Sequence, residues 1–447
     1  MSLKVGIDVG GTFTDFLVTG DAAEPRVYKV PTTPADPSIG LIAGLEEIAA
    51  GMGMKITELA RSIETIVHGT TVTTNAVLTG NGAKTGLLTT QGVRDALEMR
   101  RGIREEQYNN RYTNVAPLAP RYLRIPVRGR LNYRGDELTP LNLDDVRSAV
   151  RLLKEERVEA AAICFMNSFA NAQHEQEAAK IIREQLPDAF LTVSSDFLPS
   201  IRFYDRVSST VLNSYVGPKF SSYVDQLLAR LREIKFGGVL LIMQSNGGVM
   251  SPELARESPA RTLLSGPAAG PEAGLGYARM HGHDSCITID MGGTSFDAAL
   301  VLNGAPSVVT EGEINRYRVA LPMLDIVTIG AGGGSIGRID EGGLLRMGPQ
   351  SAGADPGPVC YDKGGSRPTC TDADLVLGYL DPDFFAGGRI KLNRKAAAAA
   401  IAEHIARPLG LSIEAAAAGM GRVINTNMAQ GVREISIKRG YDPRECP

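Results

Sequence analysis

The chain has 447 residues, more than the roughly 250–300 at which one hydrophobic core stops growing, so two or more domains are expected, and 43% hydrophobic residues suffice to fill them. Its 47 basic and 50 acidic side chains are dispersed and leave a net charge of -3; without a basic run to track a phosphate backbone, nucleic acid is excluded as an expected partner. The five cysteines (Cys164, Cys286, Cys360, Cys370, Cys446) lack zinc-ribbon spacing, no basic and apolar leader precedes the first strand pattern, and no window approaches the ~20 apolar residues of a membrane span; a cytoplasmic protein with reduced thiols and no membrane contact is expected.

Residues 4–30 alternate apolar and polar positions in three runs, KVGIDVG, TDFLVTG and RVYKVPT, which predicts a three-stranded meander. Leu41, Leu45 and Ile48 then fall on one helical stripe, so strands are followed by a helix. The segment HGTTVTTN follows, and His68 within it either orients a substrate or phosphate as a catalytic residue or is a hydrogen-bonded structural histidine. The Arg- and Pro-rich stretch 92–131 reads as a long decorated loop. Helices and strands alternating to about residue 190 close a first α/β domain, 1–190, and a second runs from 200 to 447.

Residues 286–311 repeat the opening plan. Asp8-Val9-Gly10-Gly11-Thr12 aligns with Asp290-Met291-Gly292-Gly293-Thr294, and Asp15 aligns with Asp297, at a constant offset of 282 residues. This is the signature of an internal duplication. In each copy two glycines at a tight turn let backbone N–H groups approach an anion, and Thr12, Thr14 or Thr294 adds a hydroxyl. The phosphate-binding set is therefore Gly10, Gly11, Thr12 and Thr14 in one copy and Gly292, Gly293 and Thr294 in the other. Asp8, Asp15, Asp290 and Asp297 would repel a phosphate unless a cation lies between them, and their hard oxygens suit Mg²⁺. Asp8 and Asp290 are the candidate catalytic carboxylates. A second Gly-rich turn, with Gly332, Gly333 and Gly334, either cradles a phosphate with its amides or is a flexible turn. Further on, Thr371 and Asp374 predict a capping box, and alanine-rich helices are expected at about 393–405 and 412–438.

Two meander halves with a phosphate hairpin apiece resemble the actin, sugar kinase and Hsp70 plan, an α/β fold of duplicated actin-like (ribonuclease H-like) domains with ATP in an interdomain nucleotide cleft. The ordered set DVGGTFTD, HGTTVTTNAV, MQSNGGV, SGPAAG, DMGGTSFD, GAGGGSIG, SAGADPGPVCY and TDADLVLG is very similar to the A subunit of the hydantoinase/5-oxoprolinase family across the whole chain. That resemblance implies ATP-dependent opening of a cyclic amide through a phosphorylated carbonyl, with Mg²⁺ and a hydantoinase B-type partner subunit. Its alternatives are a subunit of an ATP-dependent ketone carboxylase and, in another class, a non-catalytic actin-like nucleotide switch. Family members continue beyond the last helix into a strand and a Gly-Gly-x-Gly-Pro turn, so a C-terminally truncated chain is expected.

Overall fold

The computed structural model describes residues 2–447 apart from 11, 12, 21, 22, 34, 35, 103, 104, 354 and 389. The predicted meander forms as β1 (Leu3–Val9), β2 (Phe13–Gly20) and β3 (Ala23–Pro31). Helix α1 (Pro37–Gly51) starts where Asp36 accepts the Ser38 N–H and Pro37 supplies a preset first-turn φ, and it buries the expected stripe of Leu41, Leu45 and Ile48. On the other side of β1 lies the parallel strand β4 (Ile63–Thr70). Two further strands come from beyond residue 200: β5 (Val239–Met243), parallel to β4, and β6 (Val249–Met250). The sheet order β6-β5-β4-β1-β2-β3 contains the ribonuclease H-like core of an actin-like half.

A second, four-stranded parallel sheet pairs Phe190–Val193, Ala160–Cys164, Thr85–Thr90 and Arg124–Val127 in that order. Helix α2 (Phe203–Glu233) joins the two sheets. Its first half buries Val207 and Val211 with Leu87, Ala162 and Cys164, and its second half buries Phe220, Tyr223, Val224 and Leu227 in the core of the first sheet. A helix buried along most of its length on both sides lacks a clean amphipathic stripe, and here its burial replaces periodicity.

Helix α3 (Ser265–Met280) leads into the duplicate: β7 (Cys286–Met291) and β8 (Phe296–Leu302) pair antiparallel. The third strand is split, because β8 pairs at one end with β9 (Ala305–Pro306) and at the other with β10 (Ile326–Ile329). Between them residues 307–325 leave the sheet and reach the first half. There Arg318 meets Asp205 at 3.2 Å, the Tyr317 hydroxyl donates to Ala116 O at 2.8 Å, and the Ala320 N–H donates to Ser209 Oγ at 2.9 Å. Ile314, Val319, Leu321 and Met323 bury themselves with Ala76, Val77, Leu212 and Val216. This strap ties the halves together. Helix α4 (Ile413–Ile435), capped by Ser412, closes the core behind β8. Thr369 and Asp372, rather than Thr371 and Asp374, form the capping box of the helix Cys370–Leu377, because the chain enters helical geometry two residues earlier than the sequence pattern implied.

Candidate functional site

Each hairpin is closed by the same hydrogen bond at the same offset: Gly10 N–H to Phe13 O at 3.0 Å and Gly292 N–H to Ser295 O at 2.9 Å. Asp8 lies directly across from Asp15, and Asp290 directly across from Asp297. Directly opposed residues in an antiparallel pair project to one face with Cβ atoms about 4.5–5.5 Å apart, so each hairpin presents a carboxylate pair. The two pairs border one cleft: the cavity lined by Asp290 and Asp297 extends to Pro267 and Gly270 of α3, and Gly266 of the same helix lies beside Asp8.

The Asp8 carboxylate opens to the cleft but is crowded by protein. A Cβ on Gly69 would stand 3.3 Å from its Oδ1 and one on Gly266 3.5 Å away, so these two glycines make room for it. Crowding, then the charges of Asp15 and Asp290, push its pKa up to about 6 against a partial offset from Lys29. Asp297 is also raised, mainly by burial and further by Asp290, although Thr328 and Ser295 donate hydroxyls to it. Gly266 lies in the first turn of α3, whose start is fixed by Ser265 Oγ donating to Thr70 O at 3.1 Å and by the Leu264 N–H donating to Thr74 Oγ1 at 3.0 Å. The positive end of that helix thus borders the cleft.

Among the described residues no three His, Cys, Asp or Glu side chains converge as a complete metal ligand set. Paired carboxylates with room for outside oxygens nevertheless fit Mg²⁺, which keeps waters and takes phosphate oxygens in place of a full protein cage.

Several candidates sit elsewhere than the sequence implied. Thr14 is fully buried beneath the hairpin, on the Val9 and Val30 side, where its Oγ1 meets Thr32 Oγ1 at 3.0 Å, while Thr32 donates to Gly10 O at 2.9 Å. It braces the turn from behind. His68 pairs in register with Ile7 whereas Gly69 pairs with Asp8, so its ring lies on the opposite face of the sheet. There, fully buried, it meets the Tyr223 hydroxyl at 2.6 Å, and burial lowers its pKa to about 4. That is the place of the structural histidine. The amides of Gly332, Gly333 and Gly334 are spent inside the protein, on Ser335 Oγ, Gly292 O and Gly293 O. The Gly-rich turn therefore buttresses the second hairpin from behind, and a Cβ on Gly332 would come within 2.8 Å of Gly292 O and Thr294 N. Asp15 is held by Lys29, whose Nζ lies 2.6 and 2.9 Å from its two oxygens. Gly292, Gly293 and Thr294 are exposed at the cleft, and Gly11 and Thr12 lie outside the described residues.

Lys29, Thr328, Gly69 and Gly266 were not singled out by sequence. The glycines stood in HGTT, where His68 drew the reading, and in SGPAAG, which has no chemical side chain beyond its serine. The equivalence of Lys29 and Thr328 was hidden by the strap, since the offset of 282 places Lys29 against Glu311.

Comparison with known proteins gives two family matches, described as hydantoinase/oxoprolinase over residues 206–446 and hydantoinase/oxoprolinase N-terminal region over residues 4–186. The chain is 43% identical to caprolactamase subunit alpha of Pseudomonas jessenii over 99% of its own length and 64% of that protein's. It is 37% identical to the acetophenone carboxylase gamma subunit of Aromatoleum aromaticum over 99% of its own length and 62% of that protein's. The crystal structure of the ATP-dependent caprolactamase from Pseudomonas jessenii superposes with a TM-score of 0.87 at 42% identity, covering 99% of this chain and 64% of that one. The chain thus spans less than two thirds of these relatives.

Proposed function

The chain belongs to the hydantoinase/oxoprolinase family, and from that premise we propose that it is the ATP-binding A subunit of an ATP-dependent enzyme that opens cyclic amides such as lactams, hydantoins or 5-oxoproline. The observation that carries this reading is the register-matched pair of aspartate hairpins facing one cleft. Amide resonance makes the ring carbonyl a poor electrophile; transfer of the γ-phosphoryl group of ATP to its oxygen, releasing ADP, removes that resonance, water adds to the carbon, the ring C–N bond breaks as the nitrogen takes a proton, and the acyl phosphate that remains is hydrolysed to carboxylate and phosphate. Binding the phosphate chain falls to the exposed turn at Gly293 and Thr294, with the Thr294 hydroxyl, and to the corresponding turn of the first hairpin across the cleft. Asp290 and Asp297 would hold Mg²⁺, with Asp8 facing it across the cleft, and the ion would supply charge neutralisation of the phosphates. The start of α3 beside Asp8 adds a fixed positive dipole end.

A separate B-type subunit completes the enzyme. The relatives are themselves named as an alpha and a gamma subunit, which supports a hetero-oligomer. The likeness to a carboxylase subunit favours a second reading, carboxylation of a ketone through the same ATP chemistry. No helix among the described residues is long and apolar enough to cross a membrane. All five cysteines are free, which fits a reducing cytoplasm.

An ATPase assay of the chain with its B-type partner tests this. Turnover stimulated by lactams, hydantoins or 5-oxoproline supports the hydrolase; stimulation only by a ketone with bicarbonate transfers the proposal to the carboxylase reading, and stimulation by neither sinks both.

A further inference from the structure

The duplication makes the hairpins comparable residue by residue, and at one position they differ in charge. Lys29 on β3 lies across from Asp15, and Thr328 on β10 lies across from Asp297. The two residues occupy the same place in the two sheets. Lys29 delivers its ammonium to both oxygens of Asp15, whereas among the described residues Asp297 receives the neutral hydroxyls of Thr328 and Ser295. Among the described residues no Lys or Arg pairs with Asp290 or Asp297. Two carboxylates and one ammonium leave the first hairpin with one negative charge. Two carboxylates with neutral partners leave the second with two.

We propose that the hairpins have divided the cation work: the Lys29 ammonium is the resident positive charge of the first, and the divalent cation is held by Asp290 and Asp297 of the second. This rests on the nucleotide and Mg²⁺ reading above. A fixed ammonium beside Asp15 neutralises its charge without exchanging, so that carboxylate attracts a metal far less than one whose partners are neutral. Its charge also reaches Asp8, so the same side chain moderates the acid that faces the second hairpin. Asp297 keeps acceptor capacity beyond its two hydroxyl donors, and Asp290 directly opposite offers a second hard ligand from the same face. Lys29 is thus a positioning residue that decides which half carries the metal.

The test exchanges the two side chains. Both are solvent-exposed, so neither change disturbs a core. Mn²⁺ binding to the assembled enzyme with a non-hydrolysable ATP analogue is counted by electron paramagnetic resonance. The unaltered protein should bind one Mn²⁺ per chain. Lys29→Thr should add a second site, and Thr328→Lys should weaken the original site about tenfold or more, because an ammonium then competes for Asp297. Two sites in the unaltered protein, or a stoichiometry that neither exchange changes, would overturn the division. Nucleotide bound with no Mn²⁺ at all would overturn the metal reading itself. Lys29→Gln, which removes the charge and keeps a long side chain, should behave as Lys29→Thr does; unchanged binding in that variant would also count against the proposal.

Discussion

Asp8 lies directly across the first hairpin from Asp15, and crowding by protein, then the charges of Asp15 and of Asp290, push the Asp8 carboxyl up to about 6. A carboxyl whose pKa is raised on folding binds its proton more tightly in the folded than in the unfolded state. Its charged form therefore costs stability, a cost absent below the ordinary carboxylate range and complete once pH passes about 6. Asp8→Asn should raise Tm at pH about 7.5 and leave it nearly unchanged at pH about 3. Protonation also removes a negative charge facing the cation, so Mg²⁺ affinity should fall as pH drops through about 6. Calorimetric melting and Mg²⁺ titration across that range check both signs; a lower Tm for Asp8→Asn at neutral pH would refute the assignment.

Function should move the other way. Asp8→Asn and Asp290→Asn should each cut ATP turnover of the assembled enzyme about tenfold or more while the fold persists. Normal turnover in either variant, measured beside an intact circular dichroism spectrum, would remove that residue from the machinery.

The Gly-rich turn at 330–335 should act on the hairpin rather than on the nucleotide. Gly332→Ala places a Cβ within 2.8 Å of Gly292 O and Thr294 N, so it should displace the phosphate turn and lower ATP affinity. Gly333→Ala meets instead the Thr371 hydroxyl at 2.8 Å, a side chain able to rotate, and should cost less. Equal losses in the two variants would indicate that the amides bind nucleotide directly.

Much of this site was legible from the repeat. Asp8, Asp15, Asp290 and Asp297 were placed by sequence because a two-stranded turn is a local structure, and the structure keeps their register. What failed was the inference from proximity in sequence to proximity at the site. Thr14 and His68 stand within a few residues of cleft-facing positions, but strand alternation sends their side chains to the other face. Likewise β5 reads plainly as an apolar strand, yet its pairing with β4 is long-range and nothing local specifies it. The strap was unreadable because its role depends on Asp205 and Ser209 of a distant helix.

His68 should therefore answer to stability and not to turnover. Tyr223→Phe removes the hydroxyl at 2.6 Å from the buried imidazole and should cost on the order of 1–3 kcal/mol, read as a lower denaturation midpoint with kcat unchanged. A fall in kcat without a fall in midpoint would restore His68 to the catalytic set.

The strap should govern how the halves hold together. Asp205 is only 2% exposed and is held by Arg101 at 2.6 Å and Arg318 at 3.2 Å. Asp205→Ala leaves Arg101 and Arg318 to share Glu311 and should destabilise by on the order of 1–3 kcal/mol. Partial proteolysis should then cut first within 307–325; an unchanged melting temperature with strap and loop protected would contradict a tie between the halves.

The most direct test of the whole reading measures ATP consumed against amide bonds opened, using the chain assembled with its B-type partner and a lactam substrate. The expected result is a fixed ratio of ADP formed to ring-opened product, with both lost together in Asp8→Asn and in Asp290→Asn. Ring opening that proceeds without ATP, or that survives both substitutions, would contradict it.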